Sequence, residues 1–252
     1  MRVAFAGKGG AGKTTIAATL ARLAARRGTD VVAIDADSNP NLAAALGVGR
    51  ATAAGLAGIP AGTVSRKLTG PSLNVSLDEV LHSHGTEAPD GVRLLLMGEP
   101  AHAGEGCLCS AHAAVSAVLA DLGESPGTLT VVDLEASPEH LSRGTARFAD
   151  LLVLVTEPYY RSLEATRRLA DLSAELPATR TVVVVNKVRS SADGHAVAEF
   201  CDRHYLISLG EVPFSDAVVD ADRAALPLLD ADNEGPVATA VARILDAIKV
   251  PV

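Results

Sequence analysis

Composition and charge already restrict what this chain can be. It has 252 residues, of which 48% are hydrophobic, and a formal net charge of −8. That amount of apolar material suits one large α/β domain with a filled core, so we expect residues 1–252 to form a single domain. An acidic surface disfavours nucleic acid as a partner, because phosphate contacts need a basic face.

The N-terminus and the lengths of the apolar runs predict where the chain works. The first predicted strand starts at residue 2, without the basic segment and long apolar run of a secretory signal. The longest apolar runs, such as residues 151–155 and 182–185, are far too short to cross a bilayer. We therefore expect a cytoplasmic protein with no membrane partner, in which the three cysteines are reduced.

The first predicted strand leads into a glycine-rich loop. An apolar run at residues 3–6 is followed by Gly7-Lys8-Gly9-Gly10-Ala11-Gly12-Lys13-Thr14-Thr15 and then by a helical pattern over residues 16–27. This is the phosphate-loop pattern in its strand–loop–helix context, and it predicts that ATP and Mg²⁺ bind here. Lys13 is expected to contact the β- and γ-phosphates as a catalytic residue, and Thr14 to bind Mg²⁺. The residues expected to bind the nucleotide are Gly9, Gly10, Ala11, Gly12, Lys13, Thr14 and Thr15.

A second lysine, Lys8, lies inside the same loop, at a position that phosphates bound to its own subunit do not require. It is either an ordinary solvated charge or a cation that points across a dimer interface to the partner's nucleotide. The pattern resembles the deviant phosphate loop of the dimeric ATPases that include MinD, ParA, the arsenite-pump ATPase and the nitrogenase iron protein. This resemblance implies a nucleotide-dependent homodimer in which Lys8 is catalytic.

Acidic residues follow at the ends of two predicted strands. The apolar run at residues 31–35 ends in Asp35, with Asp37 two residues further on, and the run at residues 129–135 contains Asp133. In open α/β sheets this strand edge holds the ligand site. We expect Asp35 and Asp133 to hold Mg²⁺ through water, and Asp37, which lies further out, to orient the attacking water.

The stretch from residue 47 to residue 90 has poor periodicity. Here the sequence predicts a short helix within residues 59–68 and a loop at residues 83–86. The next predicted strand covers residues 92–97.

A Cys-x-Cys pair, Cys107 and Cys109, ends the glycine-rich segment that follows, and an alanine-rich helix is predicted over residues 111–122. Two thiolates this close can share one soft metal ion, but they cannot complete a tetrahedral site. A twofold dimer axis through the pair would supply four ligands, and His102 with His112 offers an alternative within one chain. The pair could also be two small buried thiols.

The second half of the chain continues the alternation of strands and helices. Strands are predicted at residues 151–155, 181–185 and 206–212, and helices at 162–176 and 236–249. Asn186 and Lys187, after the second of these strands, and Pro213 and Phe214, after the third, are the expected contacts of the base. The pattern predicts an α/β fold: a mostly parallel twisted sheet flanked by helices, a P-loop NTPase of the deviant Walker A (SIMIBI) class.

Several stretches together resemble the CooC-type ATPases, the nickel-insertion accessory proteins of carbon monoxide dehydrogenase. The stretches cover nearly the whole chain: residues 8–15, 35–42, 107–109, 133–146, 157–162, 186–189 and 212–216. The resemblance implies an ATP-hydrolysing metallochaperone whose dimer holds Ni²⁺ or Zn²⁺ between Cys107 and Cys109 of both subunits and serves a client metalloenzyme apo-protein. The chain departs from the family's pattern at Ser38 and Ser137.

Two other functions compete with this interpretation. A spatial regulator of the MinD or ParA kind needs a membrane-binding helix or a basic face. The last predicted helix has an apolar side but only Arg243 and Lys249 as cations, which favours packing on the core. A redox ATPase like the nitrogenase iron protein takes two well-separated cysteines per subunit for its cluster, whereas this chain has a tight pair. Cys201 is expected to be a core thiol.

Overall fold

Ten strands form in the part of the chain that the structure describes. This computed structural model describes residues 1–67, 70–97, 109–123, 127–135, 145–176 and 179–248. Eight strands belong to one sheet and two form a separate hairpin. The strands are β1 (Arg2–Ala6), β2 (Asp30–Ala36), β3 (Val64–Lys67), β4 (Gly70–Leu73), β5 (Thr86–Glu87), β6 (Arg93–Leu96), β7 (Thr128–Leu134), β8 (Leu151–Thr156), β9 (Arg180–Val188) and β10 (Ser208–Pro213).

The main sheet has the strand order β10-β9-β8-β1-β7-β2-β6-β5. All neighbouring strands are parallel except β5, which runs antiparallel to β6 at the edge. The predicted mostly parallel sheet is therefore confirmed. Because β1 lies in the middle and parallel strands end at one edge, the segments that follow β1, β2, β7, β8 and β9 converge there.

Helices cover both faces of this sheet. They are α1 (Lys13–Arg26), α2 (Leu42–Leu46), α3 (Arg50–Ala53), α4 (Leu77–His84), α5 (Cys109–Leu122), α6 (Tyr160–Ser173), α7 (Ser191–Arg203), α8 (Asp216–Arg223), α9 (Leu228–Ala231) and α10 (Pro236–Ile248). Within the described ranges, no helix is both long and apolar enough to cross a bilayer.

The core has two layers because strand side chains alternate between the two faces of the sheet. Val3 and Phe5 of β1 pack toward α1 and α10, whereas Ala4 and Ala6 face the layer that contains α5 and α7. Cys201 of α7 is 2% exposed in this second layer, so the predicted core thiol is confirmed. Burial also raises the pKa of its thiol.

The last helix docks on the first core layer, as its apolar pattern predicts. Val237, Val241, Ile244 and Ile248 of α10 are all buried, and they pack in the same cluster as α1. The face that an amphipathic lipid anchor would present is therefore occupied by the protein's own core.

The structure corrects two predictions in the weakly patterned stretch. The short helix predicted within residues 59–68 is only a 3₁₀ helix over Ala61–Thr63, and it leads into the antiparallel β3–β4 hairpin, in which Val64 is paired with Leu73. Both of these side chains pack against the second core layer. The hairpin was missed because Val64 and Leu73 are nine residues apart in the sequence, and they come to lie on the same face only when the two strands pair.

The predicted loop at residues 83–86 is also too long, because α4 extends to His84 and β5 begins at Thr86. The Ser76 hydroxyl accepts the backbone N–H of Glu79 at 3.2 Å and caps the helix. Only Val80 is buried in this helix, so its apolar stripe is too narrow to show helical periodicity.

Candidate functional site

The glycine-rich loop passes between the end of β1 and the start of α1, against two neighbouring strands. Gly7 has a φ of 146°, and a Cβ there would lie 2.2 Å from the carbonyl oxygen of Val155 on β8. Gly12 has a φ of 96°, and its Cβ would lie 2.2 Å from Asn186 Nδ2. The loop therefore runs closer to β8 and β9 than any side chain at these positions would allow.

Two side chains of β9 hold carbonyl groups of the loop. Asn186 Nδ2 donates to the Ala11 carbonyl at 2.7 Å, and Lys187 Nζ donates to the Gly10 carbonyl at 2.6 Å. In a trans peptide the C=O and the N–H point in opposite directions. Holding the Ala11 carbonyl therefore turns the N–H of Gly12 away from Asn186, which leaves that donor for a ligand in the loop.

Lys13 is the first residue of α1 and is only 6% exposed. It lies in the wall of a cavity of about 460 Å³. A buried ammonium at the N-terminus of a helix needs negative charge nearby, and the helix dipole favours an anion at the same end. This end of the cavity therefore suits a phosphate chain.

Thr14 and the two strand-end acids form one cluster. The Thr14 hydroxyl donates to Asp133 Oδ2 at 2.6 Å. Asp35 accepts the backbone N–H of Asp37 at 3.2 Å and that of Leu42 at 2.8 Å. The second carboxylate oxygen of Asp133 is buried and has no hydrogen-bond partner among the described residues.

Both buried carboxyls are hard to ionise in this cluster. Burial raises the pKa of Asp133 to about 7, although the Thr14 hydroxyl and Lys13 act in the opposite direction. Burial likewise raises the pKa of Asp35 to about 6, against hydrogen bonds from the backbone of Leu42, Asp37 and Asn41 that lower it. Two carboxyl groups, one of them with an unpartnered oxygen, and a hydroxyl are the oxygen donors that Mg²⁺ prefers, so the residues present fit this metal.

Asp37 lies just beyond the end of β2, further from the core than Asp35. Its side chain is half-buried and accepts the backbone N–H of Asn39 at 2.9 Å. The carboxylate is thus fixed by a local turn at the sheet edge where the loop and the acid cluster meet.

The cavity extends from the loop to β10 and α8. Its wall contains nine of the predicted nucleotide contacts: Gly10, Gly12, Lys13, Thr14, Thr15, Asn186, Lys187, Pro213 and Phe214. That wall does not include Lys8, Gly9, Ala11 or the three acids. The Ala11 carbonyl instead accepts the hydrogen bond from Asn186. The loop and the predicted base contacts thus meet in one cavity.

The far end of the cavity has features that the sequence did not indicate. The Arg189 guanidinium lies 3.5 Å from the centroid of the Phe214 ring and covers one face of it. One wall of this end is formed by α8 and the residue before it, through Ser215, Val218 and Asp222. No helix was predicted between residues 214 and 236, so this wall from α8 was missed.

A second unforeseen group links the loop to the end of β8. Glu157 is 7% exposed and accepts a hydrogen bond from Lys187 Nζ at 2.9 Å. Its other carboxylate oxygen accepts the hydroxyl of Tyr159. Lys8 Nζ lies 5.2 Å from the centroid of the Tyr159 ring. These contacts join residues far apart in the chain, so no local sequence pattern could reveal them.

The predicted soft-metal site falls largely outside the described residues. Cys107 and His102 lie outside them, as does the side chain of Cys109, which is the first residue of α5. His112 is 5% exposed within α5. In the part of the chain that the structure describes, no group of three or more His, Cys, Asp or Glu side chains could hold a metal ion. Ser137, one of the two departures from the family's pattern, also lies outside the described residues.

Comparison with known sequences identifies relatives over most of the chain. The family model for the CobQ/CobB/MinD/ParA nucleotide binding domain matches residues 3–228. The carbon monoxide dehydrogenase accessory protein CooC of Rhodospirillum rubrum is 37% identical over 91% of this chain and 90% of its own length. An uncharacterised ATP-binding protein of Methanocaldococcus jannaschii is 32% identical over 90% of this chain and 91% of its own length.

Solved structures agree on the fold. The MinD cell division protein of Aquifex aeolicus superposes with a TM-score of 0.70 at 20% identity, covering 98% of this chain and 96% of that one. A ParA family ATPase from Chlorobium tepidum gives a TM-score of 0.66 at 19% identity, covering 98% and 97%. At these identities the likeness concerns the fold alone.

Proposed function

Because this chain belongs to the CobQ/CobB/MinD/ParA family of nucleotide-binding domains and is a CooC-type ATPase, we propose that it is a dimeric metallochaperone. In this proposal it uses ATP hydrolysis to help insert nickel, or a related soft metal, into a client metalloenzyme such as carbon monoxide dehydrogenase. The observation that carries the proposal is the 37% identity to CooC across 91% of the chain. The whole chain, residues 1–252, acts as one ATPase domain in the cytoplasm.

The nucleotide occupies the cavity with its phosphates at the loop. Lys13 binds the β- and γ-phosphates, and the N–H groups of the loop and the dipole of α1 complete the anion site. Thr14, Asp35 and Asp133 would hold Mg²⁺, with the two acids acting through water, and the metal would supply positive charge against the phosphate oxygens. The buried Asp133 oxygen, which has no partner among the described residues, supports this assignment.

Hydrolysis needs a water molecule held in line with the γ-phosphate. Asp37 orients that water, because it is the acid that lies nearest the open edge of the site and is itself fixed by Asn39. Phosphoryl transfer depends mainly on such positioning and on charge stabilisation, so a half-buried carboxylate held by a local turn is suited to the role.

The base binds at the far end of the cavity. Asn186 has one amide hydrogen committed to the Ala11 carbonyl, which leaves its oxygen and second hydrogen for the base edge. Pro213 and Phe214 cover the base, with the Phe214 ring backed by Arg189. Lys187 contributes by holding the Gly10 carbonyl, so its role is to shape the phosphate loop.

The dimer carries the metal. Lys8 acts on the nucleotide of the partner subunit, so that ATP brings two chains together. Cys107 and Cys109 of both chains then supply four thiolates to one Ni²⁺ or Zn²⁺ ion, the number that a closed tetrahedral site requires. The alternative within one chain uses the same cysteines with His102 and His112.

The spatial-regulator alternative is weaker. The apolar face of α10 is packed in the core, with Val241 fully buried, which argues against a lipid anchor at that helix. A redox role like that of the nitrogenase iron protein lacks support in the described residues, where Cys201 is a core thiol.

Metal transfer tests the proposal. The nickel-loaded protein is mixed with metal-free carbon monoxide dehydrogenase, ATP and Mg²⁺, and client activity is followed over time. We expect activation with the wild type, and none with Lys13→Ala or with the Cys107→Ser, Cys109→Ser double variant. Cys201→Ser is the matched control, since it removes a thiol from the core and should still activate the client. Equal activation by the wild type and both defective variants would contradict the proposal.

A further inference from the structure

Lys8 makes a defined contact within its own chain. Its ammonium lies 5.2 Å from the centroid of the Tyr159 ring, inside the distance of about 6 Å at which a cation is attracted to an aromatic face. Tyr159 is 44% exposed and lies between β8 and α6. This contact with the Tyr159 ring distinguishes Lys8 from a lysine whose ammonium is surrounded only by water.

The Tyr159 ring is held in place by Glu157, which is connected through Lys187 to the loop that carries Lys8. The Tyr159 hydroxyl donates to Glu157, whose other oxygen accepts from Lys187 Nζ at 2.9 Å. Lys187 Nζ in turn donates to the Gly10 carbonyl at 2.6 Å. The hydrogen bond to Glu157 raises the pKa of Tyr159, so the phenol stays a neutral donor at physiological pH. A continuous series of contacts therefore begins at Lys8 in the phosphate loop and ends at Gly10 in the same loop.

We propose that the Tyr159 ring is the position at which the Lys8 ammonium binds within its own subunit, which we call the seat. Lys8 must leave this seat when ATP brings two subunits together. The inference rests on the proposed function, in which Lys8 contacts the partner's nucleotide. The seat then stabilises the open monomer and opposes dimerisation. An exposed cation–π contact changes an equilibrium by about 2–5-fold, and one such contact is lost in each subunit. Removing both should therefore tighten the dimer by roughly 4–25-fold.

The contact itself is tested without nucleotide. A double-mutant cycle with Lys8→Met and Tyr159→Leu is measured by urea unfolding, since Met keeps the side-chain stem and Leu keeps apolar volume without the ring. We expect a coupling of about 2–5-fold in the unfolding equilibrium constant. Tyr159→Phe keeps the ring face and should retain most of the coupling to Lys8. Independent, additive effects of Lys8→Met and Tyr159→Leu would overturn the seat.

The consequence is tested by sedimentation with Mg²⁺ and a non-hydrolysable ATP analogue. Tyr159→Leu should lower the dissociation constant of the dimer by roughly 4–25-fold. Tyr160→Leu is the matched control, because this neighbouring tyrosine is 79% exposed and should leave dimerisation unchanged.

The two possible failures are distinguishable. If Lys8→Met alone leaves dimerisation unchanged, the cross-subunit role of Lys8 in the proposed function is wrong, and so is the opposition of the seat to dimerisation. If Lys8→Met abolishes dimerisation but Tyr159→Leu has no effect, or has the same effect as Tyr160→Leu, only the seat is wrong.

Discussion

Asp35 and Asp133 are direct neighbours across β2 and β7, paired in register at the carboxyl edge of the sheet, and both are buried. Burial is the largest cause of the raised pKa of each carboxyl, and the charge of Asp35 raises the pKa of Asp133 further. Placing two such acids side by side is unfavourable for the folded chain alone. It becomes favourable when a divalent cation binds, because the cation stabilises both charges.

This pair predicts a distinctive pH dependence of stability without Mg²⁺. The pKa of Asp133 is about 7 in the folded chain against an ordinary value of 3.8, so the folded state binds the proton more tightly. The resulting stabilisation is complete below about pH 4 and is lost as the pH rises to about 7, by about 2–4 kcal/mol in the free energy of unfolding. Asp133→Asn should therefore be more stable than the wild type at pH 8 without Mg²⁺.

Urea unfolding of both proteins from pH 4.5 to pH 8 checks this prediction. The wild type and Asp133→Asn are compared at each pH, so that the titration of the acidic surface cancels. Added Mg²⁺ should stabilise the wild type at pH 8 and leave the variant almost unchanged. Parallel pH profiles for the two proteins would show that Asp133 does not carry the raised pKa.

Lys13→Ala removes the main cation at the phosphate end of the cavity. We expect ATP affinity to fall about 10–100-fold, because a charge-assisted contact with the β- and γ-phosphates is lost, and hydrolysis to be undetectable. Calorimetric titration with an ATP analogue and a phosphate-release assay measure the two effects. Turnover close to that of the wild type would remove the assigned role of Lys13.

Asp37→Ala should separate binding from hydrolysis. The phosphate loop and the Mg²⁺ cluster do not depend on this side chain, so Mg-ATP affinity is expected to stay within a few-fold of the wild type. Turnover should be lost, because the attacking water is no longer oriented. The same two assays apply. If Asp37→Ala hydrolyses ATP normally, another group must position the water.

Gly7→Ala and Gly10→Ala form a matched pair within the loop. Both glycines have positive φ, but an added Cβ at Gly7 meets the Val155 carbonyl at 2.2 Å, whereas nothing lies within 4 Å of one at Gly10. Gly10→Ala should lower the free energy of unfolding by about 1–2 kcal/mol through backbone strain alone. Gly7→Ala should cost more than about 3 kcal/mol, because β8 must also move. Equal losses in thermal unfolding would contradict the close approach of loop and strand.

The parts of the site that could be predicted are those encoded in short segments. The phosphate loop is a local pattern, and Asp35 and Asp133 end apolar runs whose parallel pairing brings them together. Those runs also predicted the central strands, because a strand buried on both faces is apolar at every position.

What sequence reasoning missed depends on contacts between distant segments. Glu157 contacts Lys187, and Tyr159 contacts Lys8, only because the fold brings together segments that are distant in the sequence. The β3–β4 hairpin likewise has no strong local periodicity. Asn186 was expected to contact the base, and its hydrogen bond to Ala11 shows that it also holds the loop.

The most direct test of the account is the ratio of metal to protein in the ATP-bound dimer, measured by native mass spectrometry with Ni²⁺ or Zn²⁺. We expect one ion for every two chains, lost in the Cys107→Ser, Cys109→Ser double variant and retained in His102→Ala and Cys201→Ser. Thiolate ligands must be deprotonated, so occupancy should fall on acidification. One ion per chain, or loss of the ion in His102→Ala, would contradict the shared site and favour a site within a single subunit.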